Sequence, residues 1–425
     1  MSGNTGSSTP RTLGGVPLGR VLPALRSLEP GARACWVYDL DAFAARARRM
    51  RDAFAPLGAQ VAQALKANAL PMLLERARKA GLAAEAGSLG ELCIAESLGF
   101  AAGQRILNGN GRTAEEAAWA AGHGVHSVNA DYLGELDRLE RAAAAAGSPL
   151  RVALRVNPSI EIGGHPYVAT GGDEAKFGIA PAEALEAWSA RARWPHLRLD
   201  GLHLHVGSQI LGDESLRRCV EFAFDLRAAA AARGAPLGLV NLGGGFGVDY
   251  GGRDEFPLEP YARWLAGRAA GAGIEWVVEP GRWLTAPIGV LLAEVLAVKH
   301  RAGRRFVVLA AGMNDLLRPA LYGARHRIVP LIERPGERGA AALVGPVCES
   351  ADVFEREAQL PPVEEGDVFA ILDAGAYGAA MSSNYNGRGR LAELVAEGGR
   401  LTRARAGEGV EALLARRTTD VLDAG

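Results

Sequence analysis

From Cys35 to about Glu279 the chain alternates short apolar runs with longer stretches whose apolar residues recur at helical spacing. The short runs, in order, are VAQAL (61–65), LAAEA (82–86), RILN (105–108), HSVN (126–129), RVALRV (151–156), GLHLHV (201–206), LVNLG (239–243) and WVVE (276–279). Between them, segments such as PMLLERARKAG, DYLGELDRLERAAAAAG and SLRRCVEFAFDLRAAAAARG place their apolar residues on one helical face. Eight β–α alternations within about 245 residues predict an α/β fold, a parallel (β/α)8 barrel. After Pro280 the texture changes to VLLAEVLAVKHR, RRFVVLAAG, RIVPLIE, AALVGP and DVFAILDAG, separated by turns. That pattern predicts a C-terminal antiparallel β-domain. The expected division is a partly disordered tail and lead-in over 1–34, the barrel over 35–288, and the β-domain over 289–425.

Composition narrows the function classes. Lys plus Arg total 47 against 48 Asp plus Glu, so the net charge is −1 and no broad footprint for nucleic acid or an anionic membrane is expected. The four cysteines lie far apart with no C-x-x-C pair, which fits reduced thiols better than a disulfide framework or a structural zinc site. The polar start lacks the apolar core of a signal peptide, and the apolar run Val290–Val298 is short and carries Glu294. A soluble cytoplasmic protein is the expectation.

Barrel enzymes work at the C-terminal ends of their strands. Lys66 closes the first run; there it is either a desolvated, nucleophilic amine suited to Schiff-base chemistry or a strand-end lysine reaching solvent. His203 and His205 share one face of a strand, as a metal pair or as packed histidines, and further metal partners are poorly supplied. Leu242–Gly247 (LGGGFG) follows the seventh run and Glu279–Arg282 (EPGR) follows the eighth. Each could be a tight turn, but together they point to a phosphate site. Cys348 and Glu349, in LVGPVCESADVF, and the glycine-flanked Tyr377 belong to the second domain.

The motifs KAN at Lys66, HVGSQI at His205, GGGFG at Gly243, EPGR at Glu279, MNDLLRPALYGA at Met313, GPVCESADVF at Gly345 and AGAYGAAMSSNYNGR at Ala374 occur in this order. The ordered set resembles the fold-type III pyridoxal-phosphate-dependent amino-acid decarboxylases over roughly residues 35–395. The resemblance implies an alanine-racemase-type barrel with a β-domain, and a homodimer whose active sites are shared between subunits. It implies that Lys66 holds pyridoxal 5'-phosphate covalently, that His205 stacks on the ring with Glu85 behind it, and that Glu279 pairs with the ring nitrogen. Ser208, Gly243, Gly244, Gly245, Gly281 and Arg282 would hold the phosphate, helped by Tyr377. Arg282, Arg318, Tyr322, Glu349 and Tyr377 would bind substrate, and Cys348 from the partner chain would protonate the carbanion. No metal is implied.

The branch it is most similar to acts on meso-2,6-diaminopimelate and forms L-lysine, the last step of lysine biosynthesis. The alternative is a same-fold decarboxylase of another basic amino acid: ornithine, lysine, carboxynorspermidine or a siderophore or antibiotic precursor. Two segments depart from the family pattern. Gln63 stands where an aromatic residue is common, and NPSIEIGGHPYVATGGDEAKFG is unusual in its first half.

Overall fold

The computed structural model describes residues 12–160, 177–251 and 255–415. The unusual segment noted above therefore lies largely outside the described residues. The chain divides into two compact units, one spanning 42–286 and the other combining residues up to 41 with those from 287 onward.

In chain order the strands begin with the short pair β1 (Thr12–Leu13) and β2 (Val16–Pro17), followed by β3 (Ala34–Asp39). Eight more follow: β4 (Gln60–Ala64), β5 (Ala83–Ala86), β6 (Arg105–Leu107), β7 (Ser127–Ala130), β8 (Leu150–Arg155), β9 (Leu197–His203), β10 (Leu239–Asn241) and β11 (Glu275–Val278). Each of these eight overlaps one of the eight apolar runs, but β9 begins at Leu197 and ends at His203, so His205 lies beyond the strand and the two histidines do not share a strand face. The eight strands close into a barrel of parallel strands in the order β10-β11-β4-β5-β6-β7-β8-β9.

The barrel interior is filled by small and branched side chains, Ala62, Ala83, Ile106, Ala153, Leu239 and Val277. Its helices start and stop where local chemistry dictates. Thr113 and Glu116 form a capping box at Ala114–His123, satisfying two backbone donors that the helix itself cannot. Pro71 opens Pro71–Lys79 at the one position where its missing N–H costs nothing, and Gly147 ends Gly134–Ala146 in the left-handed conformation. Buried apolar faces such as Leu73, Leu74 and Ala77 then seal the barrel's outside.

The second unit continues with β12 (Gly289–Arg301), β13 (Arg304–Leu309), β14 (Ile328–Pro330), β15 (Gly339–Val344), β16 (Val353–Leu360), β17 (Val368–Ile371), β18 (Glu393–Glu397) and β19 (Arg400–Arg405). Its main sheet runs β16-β15-β13-β12-β3-β18-β19, with β17 pairing both β12 and β14. Most pairings are antiparallel, as expected, but β13–β15 and β3–β18 are parallel.

The expected boundary at residue 35 does not hold. β3 pairs with β12 and β18, so the first strand of that stretch belongs to the sheet and not to the barrel. The lead-in is also structured: Leu18, Val21, Leu22 and Leu25 pack with Val37, Val290, Leu292 and Leu394 in one core. Strand partners about 250 and 350 residues away are set by tertiary packing, which local periodicity does not encode. Among the described residues no helix is long and apolar enough to cross a membrane.

Candidate active site

The C-terminal mouth of the barrel collects polar side chains from successive strand ends. Lys66 sits in the single turn Leu65–Ala67 that follows β4. Its Nζ lies 3.1 Å from Glu85 Oε2. The Lys66 side chain is 49% exposed and Glu85 only 1%. Of the two readings the sequence left open for Lys66, the exposure matches the strand-end lysine that reaches the open mouth, with its amine held beside a buried carboxylate.

Behind that pair, one amide links two acids. Asn108 Nδ2 donates to Glu85 Oε1 at 2.9 Å and to Glu279 Oε2 at 3.0 Å. Asn129 Nδ2 donates to Asn108 Oδ1 at 2.8 Å, and Asn241 Nδ2 donates to Glu279 Oε1 at 2.7 Å. His203 Nε2 lies 3.5 Å from Glu279 Oε2. Burial alone would push the Glu279 carboxyl up; His203, Lys66 and the Asn241 amide hold it below the usual carboxylate range. Glu279 is thus an ionised carboxylate at the floor of the pocket.

His205 stands beside it at the mouth. Burial, with the nearby Arg155 and Lys66 cations, holds its imidazole well below its ordinary value. Gly244 N–H donates to His205 Nδ1 at 3.3 Å, which assigns the ring proton to Nε2 and presents a neutral ring. Lys66, Glu85, Glu279, His203 and His205 all line one pocket of about 410 Å³, with Arg155, Phe177 and Glu91 on its walls.

The glycine loop is where backbone must pass closely. Glu279 N–H donates to the Gly243 carbonyl at 2.8 Å, so the loops after β10 and β11 are fastened together. A Cβ on Gly244 would lie 2.3 Å from the Glu279 carbonyl oxygen, and Gly245 has φ of 103°. Asn241 Oδ1 accepts the Gly243 N–H at 2.9 Å, which joins the glycine loop to Glu279 through one side chain. Arg282, buried in the next turn, donates to Ser208 Oγ at 2.9 Å and to Tyr250 Oη at 2.8 Å. That turn is braced from outside by Arg46, which donates to the Trp283 carbonyl at 2.8 Å and covers the Trp283 ring at 3.8 Å.

These features fit pyridoxal phosphate: an amine at the mouth, an ionised carboxylate below, a neutral ring beside them, and a glycine loop flanked by Ser208 and a buried Arg282. The structure brings together Lys66, Glu85, His205, Ser208, Gly243–Gly245, Glu279, Gly281 and Arg282 in the barrel unit. Arg318, Tyr322, Cys348, Glu349 and Tyr377 belong to the other unit. There Arg318 is buried and pairs with His326 Nε2 at 2.8 Å, Tyr377 adopts φ of 56°, and Cys348 and Glu349 are exposed. Sequence reasoning missed Asn108, Asn129, Asn241, Glu91 and Arg46. Three of them were within reach, since Asn108 and Asn129 end their runs and Asn241 closes its strand. Of the two readings left open for His203 and His205, the geometry matches packed histidines with separate neighbours, Glu279 for one and Gly244 for the other.

The family described as "Pyridoxal-dependent decarboxylase, pyridoxal binding domain" matches residues 40–286. The chain is 36% identical over 387 residues to a diaminopimelate decarboxylase of Zymomonas mobilis, covering 89% of this chain and 91% of the relative. It is 37% identical to that of Pseudomonas aeruginosa over 382 residues, with the same coverage of each chain. Among solved structures, diaminopimelate decarboxylase from Helicobacter pylori complexed with L-lysine superposes with a TM-score of 0.87 at 33% identity, covering 92% of this chain and 98% of that one. With a closed barrel, a lysine at its mouth and sequence likeness extending well past the barrel, the chain belongs to the pyridoxal-dependent decarboxylases.

Proposed function

We propose that this enzyme decarboxylates meso-2,6-diaminopimelate to L-lysine. The observation that carries the reading is the ionised Glu279 joined through Asn108 to Glu85 and, beyond it, to the Lys66 amine. The names of relatives at 36–37% identity, and a lysine-bound structure at 33%, support the choice of substrate.

Lys66 supplies the amine that would hold pyridoxal phosphate. Glu279 would keep a proton on the ring nitrogen, because a carboxylate held below its usual range favours a cation beside it. His205, neutral, would pack on the ring face without competing for that proton. The glycine loop, Ser208 and Gly281 would hold the phosphate, with Arg282 supplying positive charge to it. When bound, the cofactor supplies an electron sink for the carbon that loses its carboxylate. In this reading Arg282 and Arg318 recognise carboxylate, Glu349 recognises the distal ammonium, Tyr322 and Tyr377 orient the substrate, and Cys348 returns a proton to the carbon. The reading includes a homodimer in which Cys348 serves the partner's site, and a cytoplasmic location.

The test is kcat/KM for meso-diaminopimelate, L-lysine and L-ornithine on one preparation. A site built to pair a distal carboxylate penalises substrates that leave it unpaired, so diaminopimelate should win by roughly 10³-fold or more. A substrate without the distal carboxylate in first place would replace this reading with a decarboxylase of another basic amino acid.

A further inference from the structure

The turn carrying Cys348 and Glu349 is exposed, yet side chains from elsewhere in the same unit hold its backbone. Val347 N–H donates to Asp352 Oδ2 at 2.8 Å, and Cys348 N–H donates to Asn386 Oδ1 at 2.8 Å. Asp352 is only 3% exposed, and its other oxygen accepts the Met313 N–H at 2.6 Å. That carboxylate therefore ties the Cys348 turn to the loop leading into the helix Arg318–Tyr322. The fit is close, since a Cβ on Gly345 would lie 2.3 Å from Asp352 Oδ2 and one on Gly312 would lie 2.9 Å from it. A third loop is fastened in turn: Ser383 N–H donates to the Asn314 carbonyl at 2.8 Å, next to the turn Tyr385–Gly387 that supplies Asn386. Asn386 itself has φ of 57° and ψ of 22°, a left-handed conformation that Asn tolerates better than most residues.

We infer that Asn386 and Asp352 are positioning residues that fix the Val347–Cys348 peptides and so set where the Cys348 thiol is presented. The inference rests on the reading in which Cys348 returns a proton to the substrate carbon. An exposed turn left to itself samples many conformations, and a proton donor displaced by an ångström loses much of its effect. Two side-chain acceptors on successive N–H groups remove that freedom before substrate arrives. The consequence falls on kcat more than on KM.

The test uses the holoenzyme, two variants at Asn386 and a Cys348→Ala control. Asn386→Gly keeps the left-handed backbone accessible and removes only the acceptor; Asn386→Asp keeps an acceptor. Hydrogen exchange at the Cys348 amide, resolved by fragmentation mass spectrometry, should quicken by about fivefold or more in the glycine variant, with barrel amides unchanged. Its kcat for meso-diaminopimelate should fall about tenfold with KM within a factor of about two, and the aspartate variant should restore both readouts. Unchanged exchange at Cys348 overturns the clamp. Faster exchange with unchanged kcat, while Cys348→Ala is inactive, overturns the positioning role. A fully active Cys348→Ala overturns the role assigned to the thiol, and with it the purpose of the clamp.

Discussion

Glu279 and Asp315 are both buried carboxyls, and their surroundings push them in opposite directions. Glu279 receives amide donors from Asn108, Asn129 and Asn241 and stays ionised. Asp315 is 1% exposed in the other unit, where burial pushes its carboxyl up to about 7 against an ordinary 3.8, with the Gly312 N–H opposing the shift and Asp352 adding to it. Between pH 3.8 and about 7 the folded chain therefore holds a proton that the unfolded chain releases. Stability from this group is complete below that window and is lost as pH rises through it. Asp315→Asn keeps an acceptor for Gly312 and removes the titration. Relative to the parent, the variant should gain stability from acid to mildly alkaline pH. At about 1.4 kcal/mol per tenfold change in proton affinity, the gain is on the order of 4 kcal/mol. Denaturant midpoints at matched slopes would measure it, and a difference that does not change with pH would show that Asp315 does not titrate in this range.

At the scale of elements, the site depends on loops that are fastened to one another. The loops after β10 and β11 share the Glu279-to-Gly243 backbone bond, and Gly244 passes so close to Glu279 that no side chain fits. Gly244→Ala should cost about 1–3 kcal/mol of stability, because the clash is with backbone and cannot be relieved by a rotamer. It should also weaken pyridoxal phosphate in a fluorescence titration, while Gly212→Ala, with nothing within 4 Å, should leave binding unchanged. Equal cofactor affinity in both variants would remove the glycine loop from the phosphate site.

The eight barrel strands were legible because strands buried on both faces read as continuous apolar runs. β3 was not legible as part of the sheet, since ACWVYD reads as a buried strand in either unit and its partners come from the far end of the chain. The parallel pairings of β13–β15 and β3–β18 were hidden for the same reason: pairing direction leaves no local pattern. Lys66, Glu279 and the glycine loop stood out by type and position. Asn108, Asn129 and Asn241 did not, because an Asn after an apolar run also reads as a turn residue, and only barrel closure turns it inward.

For the whole molecule, the proposed function assigns residues of both units to the reaction. Lys66 lies in the barrel unit and Cys348 in the other, and the proposed reading gives both a part in the reaction. The near-zero net charge places no electrostatic barrier against self-association. In a homodimer with shared sites, Lys66→Ala and Cys348→Ala are each nearly inactive, for want of the cofactor's amine in one and of the proton donor in the other. Mixing them makes heterodimers in which one site carries both defects and the other carries neither. With random exchange, half the dimers are mixed and each holds one intact site, so activity should return to at most about a quarter of the parent value. The measurement is turnover of meso-diaminopimelate after mixing, with subunit exchange followed independently by mass-labelled protomers. Exchange without any recovery would place Lys66 and Cys348 of each working site in the same chain.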